Sequence, residues 1–123
     1  MKSSLSLILL IICVLALSAQ EPVIQWQNTI GGSALDIPRI QNTSDGGYII
    51  GGSSDSGISG DKTSANNGES DYWVVKLNSL GTIVWQKSFG GSGDDGLLCL
   101  QETDDGGFIL GGYSASGISG DKT

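Results

Sequence analysis

A stretch of about sixty residues is written twice along this chain. Trp26-Gln27 followed by Gly31-Gly32-Ser33 returns as Trp85-Gln86 followed by Gly90-Gly91-Ser92, 59 positions on. Thr43-Ser44-Asp45-Gly46-Gly47-Tyr48-Ile49-Ile50-Gly51-Gly52 returns as Thr103-Asp104-Asp105-Gly106-Gly107-Phe108-Ile109-Leu110-Gly111-Gly112, 60 positions on. One residue has therefore been inserted between the two blocks. Gly57-Ile58-Ser59-Gly60-Asp61-Lys62-Thr63 then reappears unchanged as Gly117 to Thr123. Repeat 1 covers about 26–84 and repeat 2 about 85–123, which stops short of a counterpart to Asp71-Tyr72-Trp73-Val74-Val75-Lys76-Leu77. A repeat unit cannot bury its apolar face alone and needs stacked neighbours. The chain thus reads as the front of a larger repeat protein.

Helical periodicity is absent after the first residues. Short β-rich runs separated by Gly, Ser and Asp replace it: 23–30, 35–43, 47–53, 71–78, 82–89, 95–102 and 107–114, with a polar loop over 54–70. Such spacing predicts an all-β sandwich, barrel or propeller. Four strands fit in one repeat length, over 71–78, 82–89, 95–102 and 107–114, which predicts a four-stranded antiparallel propeller blade. A β-sandwich or β-solenoid is the alternative. Period-2 alternation puts Tyr72, Val74 and Lys76 on one face and Trp73, Val75 and Leu77 on the other. Asp45-Gly46-Gly47 and Asp105-Gly106-Gly107 sit where a tight turn needs positive φ.

Residues 1–19 read as a secretion signal, with Lys2 ahead of an apolar run from Leu5 to Leu17 and small residues at the end. The run is shorter than a membrane-spanning helix needs, so localisation is expected to be secreted or cell-surface. The mature region, 20–123, keeps five basic residues against thirteen acidic ones, a net of −8. That charge is repelled by phosphate backbones and speaks against a nucleic-acid partner. Cys99 would remain as a single cysteine, so no disulfide forms within the segment; it reads as a small buried hydrophobe.

The phrase Asp71-Tyr72-Trp73-Val74-Val75-Lys76-Leu77-Asn78, Gly81, Trp85-Gln86-Lys87-Ser88-Phe89-Gly90-Gly91-Ser92, then Asp105 to Gly112, resembles the repeats of large secreted surface proteins of the Bacteroidota. Many of those carry a type IX secretion sorting domain, which has no counterpart here, and the resemblance implies a propeller. Lys76 to Trp85 is also faintly similar to the strand–turn–strand repeat of quinoprotein-type propellers. That resemblance implies that Trp26 and Trp85 pack between adjacent blades. No quinone-binding set is matched.

Chemistry-bearing motifs are few. Asp94-Asp95 and Asp104-Asp105 lie in glycine-rich turns, where aspartate hydrogen-bonds local backbone, rather than as the facing pair that glycoside hydrolysis uses. Gly90 to Leu98 fits the calcium nonapeptide once, whereas β-rolls share calcium between tandem copies. Asp61, Glu69 and Asp71, with Asn66 and Asn67, offer the hard oxygens calcium takes. Calcium is therefore the one cofactor left open, against a solvated loop. There is no histidine, no G-x-S-x-G elbow and no phosphate-binding loop, so nucleophilic catalysis lacks its parts.

The expected function is a non-catalytic scaffold or adhesion module presenting loops to a protein or glycan partner. The identical loops 57–63 and 117–123 are the first place to look. Two rivals stand beside it: a piece of a secreted hydrolase or quinoprotein-like enzyme with its catalytic residues elsewhere, and a purely structural spacer. Unpaired strand edges predict self-association of 20–123.

Overall fold

The computed structural model describes residues 22–123; the expected secretion signal lies outside the described residues. Six strands form, and there is no helix among these residues. They are β1 (Asp36–Asn42), β2 (Tyr48–Ser54), β3 (Asp71–Leu77), β4 (Ile83–Phe89), β5 (Asp95–Glu102) and β6 (Phe108–Ser114). The first four make an antiparallel sheet in the order β1-β2-β3-β4, and β5-β6 make a second, two-stranded antiparallel sheet.

Local chemistry sets the turns. At the β1–β2 turn Gly46 takes φ 80, and the Asp45 carboxylate accepts from Thr43 Oγ1 and, at 2.9 Å, from Gly47 N. The β5–β6 turn repeats this with Gly106 at φ 79 and Asp105 accepting from Thr103 and Gly107. Between β3 and β4, Asn78 Oδ1 accepts from Leu80 N and Thr82 N while Gly81 takes φ 78. Side chains that satisfy the turn backbone let each strand reverse within a few residues.

The four-stranded sheet has one face covered by the second sheet and the other covered in part by the chain ahead of β1. Trp73, Val75 and Leu77 point to one and form the core, with Tyr48 and Ile50 of β2 and Ile83 of β4 beside them. Trp26 and Ile30 pack on this face from the chain ahead of β1. The expected strand over 23–30 does not form. Its Trp26 and Ile30 sit against the sheet face, and none of its residues pairs with a strand. Val74 and Tyr72 point to the opposite face, as the alternation predicts, and there the second sheet stacks.

The stacking uses a bare backbone. A Cβ on Gly51 would lie 2.6 Å from Leu97 Cδ2 and 2.7 Å from Leu100 Cδ2, so a side chain there would make the two β5 leucines shift from their seat on β2. Ser53 Oγ accepts from Leu97 N at 3.1 Å, and Asp95 N donates to Ser70 O at 2.7 Å. The two aromatic contacts repeat across units. Trp26 meets Tyr48 edge-on at 5.4 Å between ring centres, and Trp85 on β4 meets Phe108 on β6 at 6.0 Å.

Two expectations need correction. The four-stranded sheet runs from 36 to 89, not from 71 to 114. The chain breaks sheet pairing between Phe89 and Asp95 because the intervening backbone N–H groups bind side chains instead of a neighbouring strand. Cys99 is exposed rather than buried, since it lies on the outer face of β5 and β6, which no further sheet covers among the described residues. The residue inserted between the repeat blocks also finds its place. Asp95 pairs with Ser114 as Asp36 pairs with Ser54, and Leu100 pairs with Leu110 as Ile40 pairs with Ile50. Between them the register slips at Leu97/Cys99, so Leu98 is a β-bulge that absorbs the extra residue.

Equivalent glycines should respond unequally. Gly51→Val drives methyls into Leu97 and Leu100 and is expected to lower stability by about 1–3 kcal/mol. Gly111→Val, where the nearest neighbour is Cys99 Sγ at 2.9 Å, is expected to cost less. Urea midpoints of the two variants at equal concentration check this.

Candidate interaction face

The two copies of Gly-Ile-Ser-Gly-Asp-Lys-Thr lie at the end of the sheets where β2 and β6 finish. Each is locked to the Gly-Gly-Ser turn that precedes its unit's first strand. In the first unit four successive backbone N–H groups find side-chain acceptors. Gly31 N donates to Asp61 Oδ2 at 3.3 Å, Gly32 N to Asp36 Oδ2 at 2.8 Å, Ser33 N to Ser59 Oγ at 2.9 Å and Ala34 N to Ser56 Oγ at 2.9 Å. The second unit repeats the set with Gly90 on Asp121, Gly91 on Asp95, Ser92 on Ser119 and Gly93 on Ser116. Successive N–H groups of this kind make an anion-attracting concavity. Here the chain's own hydroxyls and carboxylates fill it.

The loops themselves are tight. Ser59 and Lys62 exchange backbone hydrogen bonds at 3.0 Å around Gly60, whose φ is 55, and in the second loop Lys122 N donates to Ser119 O at 3.0 Å around Gly120, whose φ is 57. Lys62 is buried, and its three ammonium protons go to Ser56 O, Ser64 O and Asn66 Oδ1. Burial pulls its pKa below the ordinary lysine value. The loop serines turn inward while the apolar tip faces water: Ile58 is 69 % exposed and Ile118 is 88 % exposed. Asn67 ties the two loops together, donating from Nδ2 to Gly90 O at 3.1 Å and Asp121 Oδ2 at 3.3 Å.

Under the second loop sits a costly charge. Asp71 is 0 % exposed; its Oδ2 accepts from Asn67 N, and its Oδ1 has no partner among the described residues. A Cβ on Gly90 would overlap Asp71 Oδ1 and sit 2.8 Å from Asp95 Oδ2, so both carboxyls press on the same bare Cα. Burial, opposed by the Asn67 hydrogen bond, and the Asp95 and Asp121 charges raise the Asp71 pKa. Asp95 is also pushed up by burial, yet hydrogen bonds from Ser114, Gly91 and Ser116 outweigh that and hold it low.

Of the residues the sequence singles out, Trp26 and Trp85 both lie against the aromatic that opens the next unit's second strand. Asp61, Glu69 and Asp71 are not brought together, and no three His, Cys, Asp or Glu side chains among the described residues converge as a metal site. Asp61 closes the first turn, Asp71 is buried, and Glu69 is exposed with its carbonyl held by Asn66. Tyr113 on β6 is exposed. Ile58, Ile118 and the orphaned Asp71 oxygen were not foreseen. A lone apolar residue between glycines in an otherwise polar loop is the signal that points to the two isoleucines. Compared with known proteins, the chain matches no family, no curated protein and no solved structure.

The buried carboxyl gives a pH test. The Asp71 pKa is higher folded than unfolded, so its ionisation penalty is absent below the unfolded value near 4 and grows as pH rises through the folded one. Asp71→Asn removes that penalty. The variant is expected to melt above wild type at pH 7, with the gap closing toward pH 4 in thermal scans.

Proposed function

We propose that this chain is a non-catalytic, secreted or cell-surface β-propeller-type repeat module. Its role is that of a scaffold whose loops engage a protein or glycan. The observation that carries the reading is the duplicated loop: identical residues, an identical polar clasp and an exposed isoleucine at each tip. Rigid loops on a sheet scaffold lose little entropy on binding. The propeller part draws support from a four-stranded antiparallel sheet, a second sheet stacked on its face, and the recurring Trp–aromatic contact. Secretion draws on the amino-terminal signal pattern.

The test is an array of defined glycans and purified extracellular matrix proteins, probed with the labelled chain. Binding to a defined feature is expected, lost in Ile58→Ser/Ile118→Ser and kept in Leu80→Ser. Leu80 is exposed at the opposite end of the sheet and serves as the control. Binding that survives the double substitution removes the loops from the role, and no binding at all leaves the spacer reading in place.

A further inference from the structure

The outer face of the second sheet repeats the surface on which that sheet itself stacks. In the four-stranded sheet, Ile49 and Gly51 face β5, and Ile49 is 0 % exposed. Their equivalents on β6 are Ile109 and Gly111, and Ile109 is 61 % exposed. The bare Cα that receives two leucines on β2 is thus presented again on β6 with no neighbouring sheet on it.

The matching surface lies at the other end of the stack. Leu97 and Leu100 are the residues that seat on Gly51; by strand register their counterparts in β1 are Pro38 and Ile40. Leu97 is buried and Leu100 half-buried, whereas Pro38 is exposed and Ile40 is 64 % exposed. Pro38 and Ile40 border an apolar groove of about 260 Å³ that reaches down to Ile50, Trp73 and Val75. The chain around Trp26 covers only part of this face. Trp26 is the repeat equivalent of Trp85, so residues 24–30 stand in the place that β4 takes against the second sheet. The places corresponding to β1 and β2 are open, and β5 and β6 are the equivalents of those two strands. A second sheet from another molecule therefore fits beside residues 24–30 without displacing them.

We infer that this chain binds a second copy of itself head to tail, the β5–β6 outer face around Ile109 and Gly111 seating on the β1 face around Pro38 and Ile40. The contact reproduces between molecules the one that already joins the two sheets within the molecule. It runs through sheet faces rather than strand edges. Because the two surfaces differ, the association is heterologous and builds rings or open rows rather than closing at a symmetric pair. The inference rests on the stacked-repeat reading of the fold and not on any ligand of the loops.

Sedimentation of residues 20–123 over a range of concentrations tests it. Wild type is expected to grow past a dimer as concentration rises. Ile40→Asp and Ile109→Lys, both at exposed positions and checked for folding by circular dichroism, each place an unpaired charge in an apolar contact. Each alone is expected to weaken association at least about tenfold, as more than 1.4 kcal/mol is lost. An equimolar mixture should regain heterodimers, because each variant keeps intact the surface the other has lost. Wild type that stays monomeric overturns the inference. So does association that survives Ile109→Lys, which would mean pairing of like faces, or a mixture that regains nothing. Should association fail while Gly51→Val still destabilises the monomer, the stacked-sheet reading stands and only the self-docking falls.

Discussion

Close approach of one sheet to another over a bare Cα underlies this structure. Leu97 and Leu100 rest on Gly51, and a side chain there would push the two leucines from their seat. The contact buries Ile49 and Val74 from one side, while Trp26 and Ile30 cover part of the other. Each buried methylene group contributes about 0.8 kcal/mol, so a sheet covered in this way gains what a single exposed sheet in water lacks. Tyr72 and Trp85 extend the same contact to β6 through the Tyr113 carbonyl and Phe108. The aromatic pairs add a directional, edge-on preference to an otherwise non-directional attraction.

Stacking of this kind leaves a problem at each junction, where the chain must leave one sheet and enter the next. The backbone between Phe89 and Asp95 gives up strand pairing, and its N–H groups need partners. Ser116, Ser119 and Asp121 supply them from the following loop, and Asp95 supplies one from its own strand. The first unit uses Ser56, Ser59, Asp61 and Asp36 in the same way. The loops at this end are consequently held from inside, and their isoleucines face water at the tips. Asp71 belongs to the same junction but is served less well, with one oxygen bonded and one orphaned. An unpaired buried polar atom of this sort commonly costs 1–3 kcal/mol.

Most of the strands were legible in the sequence, and the reasons are local. Period-2 alternation separated Trp73, Val75 and Leu77 from Tyr72 and Val74 correctly, because successive side chains of a strand must point to opposite faces. The Asp-Gly-Gly turns were legible because positive φ favours glycine, and Gly46 and Gly106 adopt it. Where to cut the repeat was not. A periodic sequence has the same composition wherever the unit is said to begin, so 71–114 and 36–89 read as equally good sheets. The choice depends on whether the Gly90-Gly91 backbone pairs with a strand or with serine and aspartate side chains. That is a contest between distant groups.

By itself, then, the sequence determined the repeat length, the strands, the tight turns and the existence of one inserted residue. These follow from short-range geometry: side-chain alternation, allowed φ, and counting. Only the tertiary structure decided that the insertion is absorbed as a bulge at Leu98, that Cys99 faces water, and that Asp71 is buried beside Asp95. It alone separated residues the repeat makes equivalent, burying Ile49 and leaving Ile109 exposed. Burial is a property of what lies above a face, and two copies with the same local sequence have different neighbours.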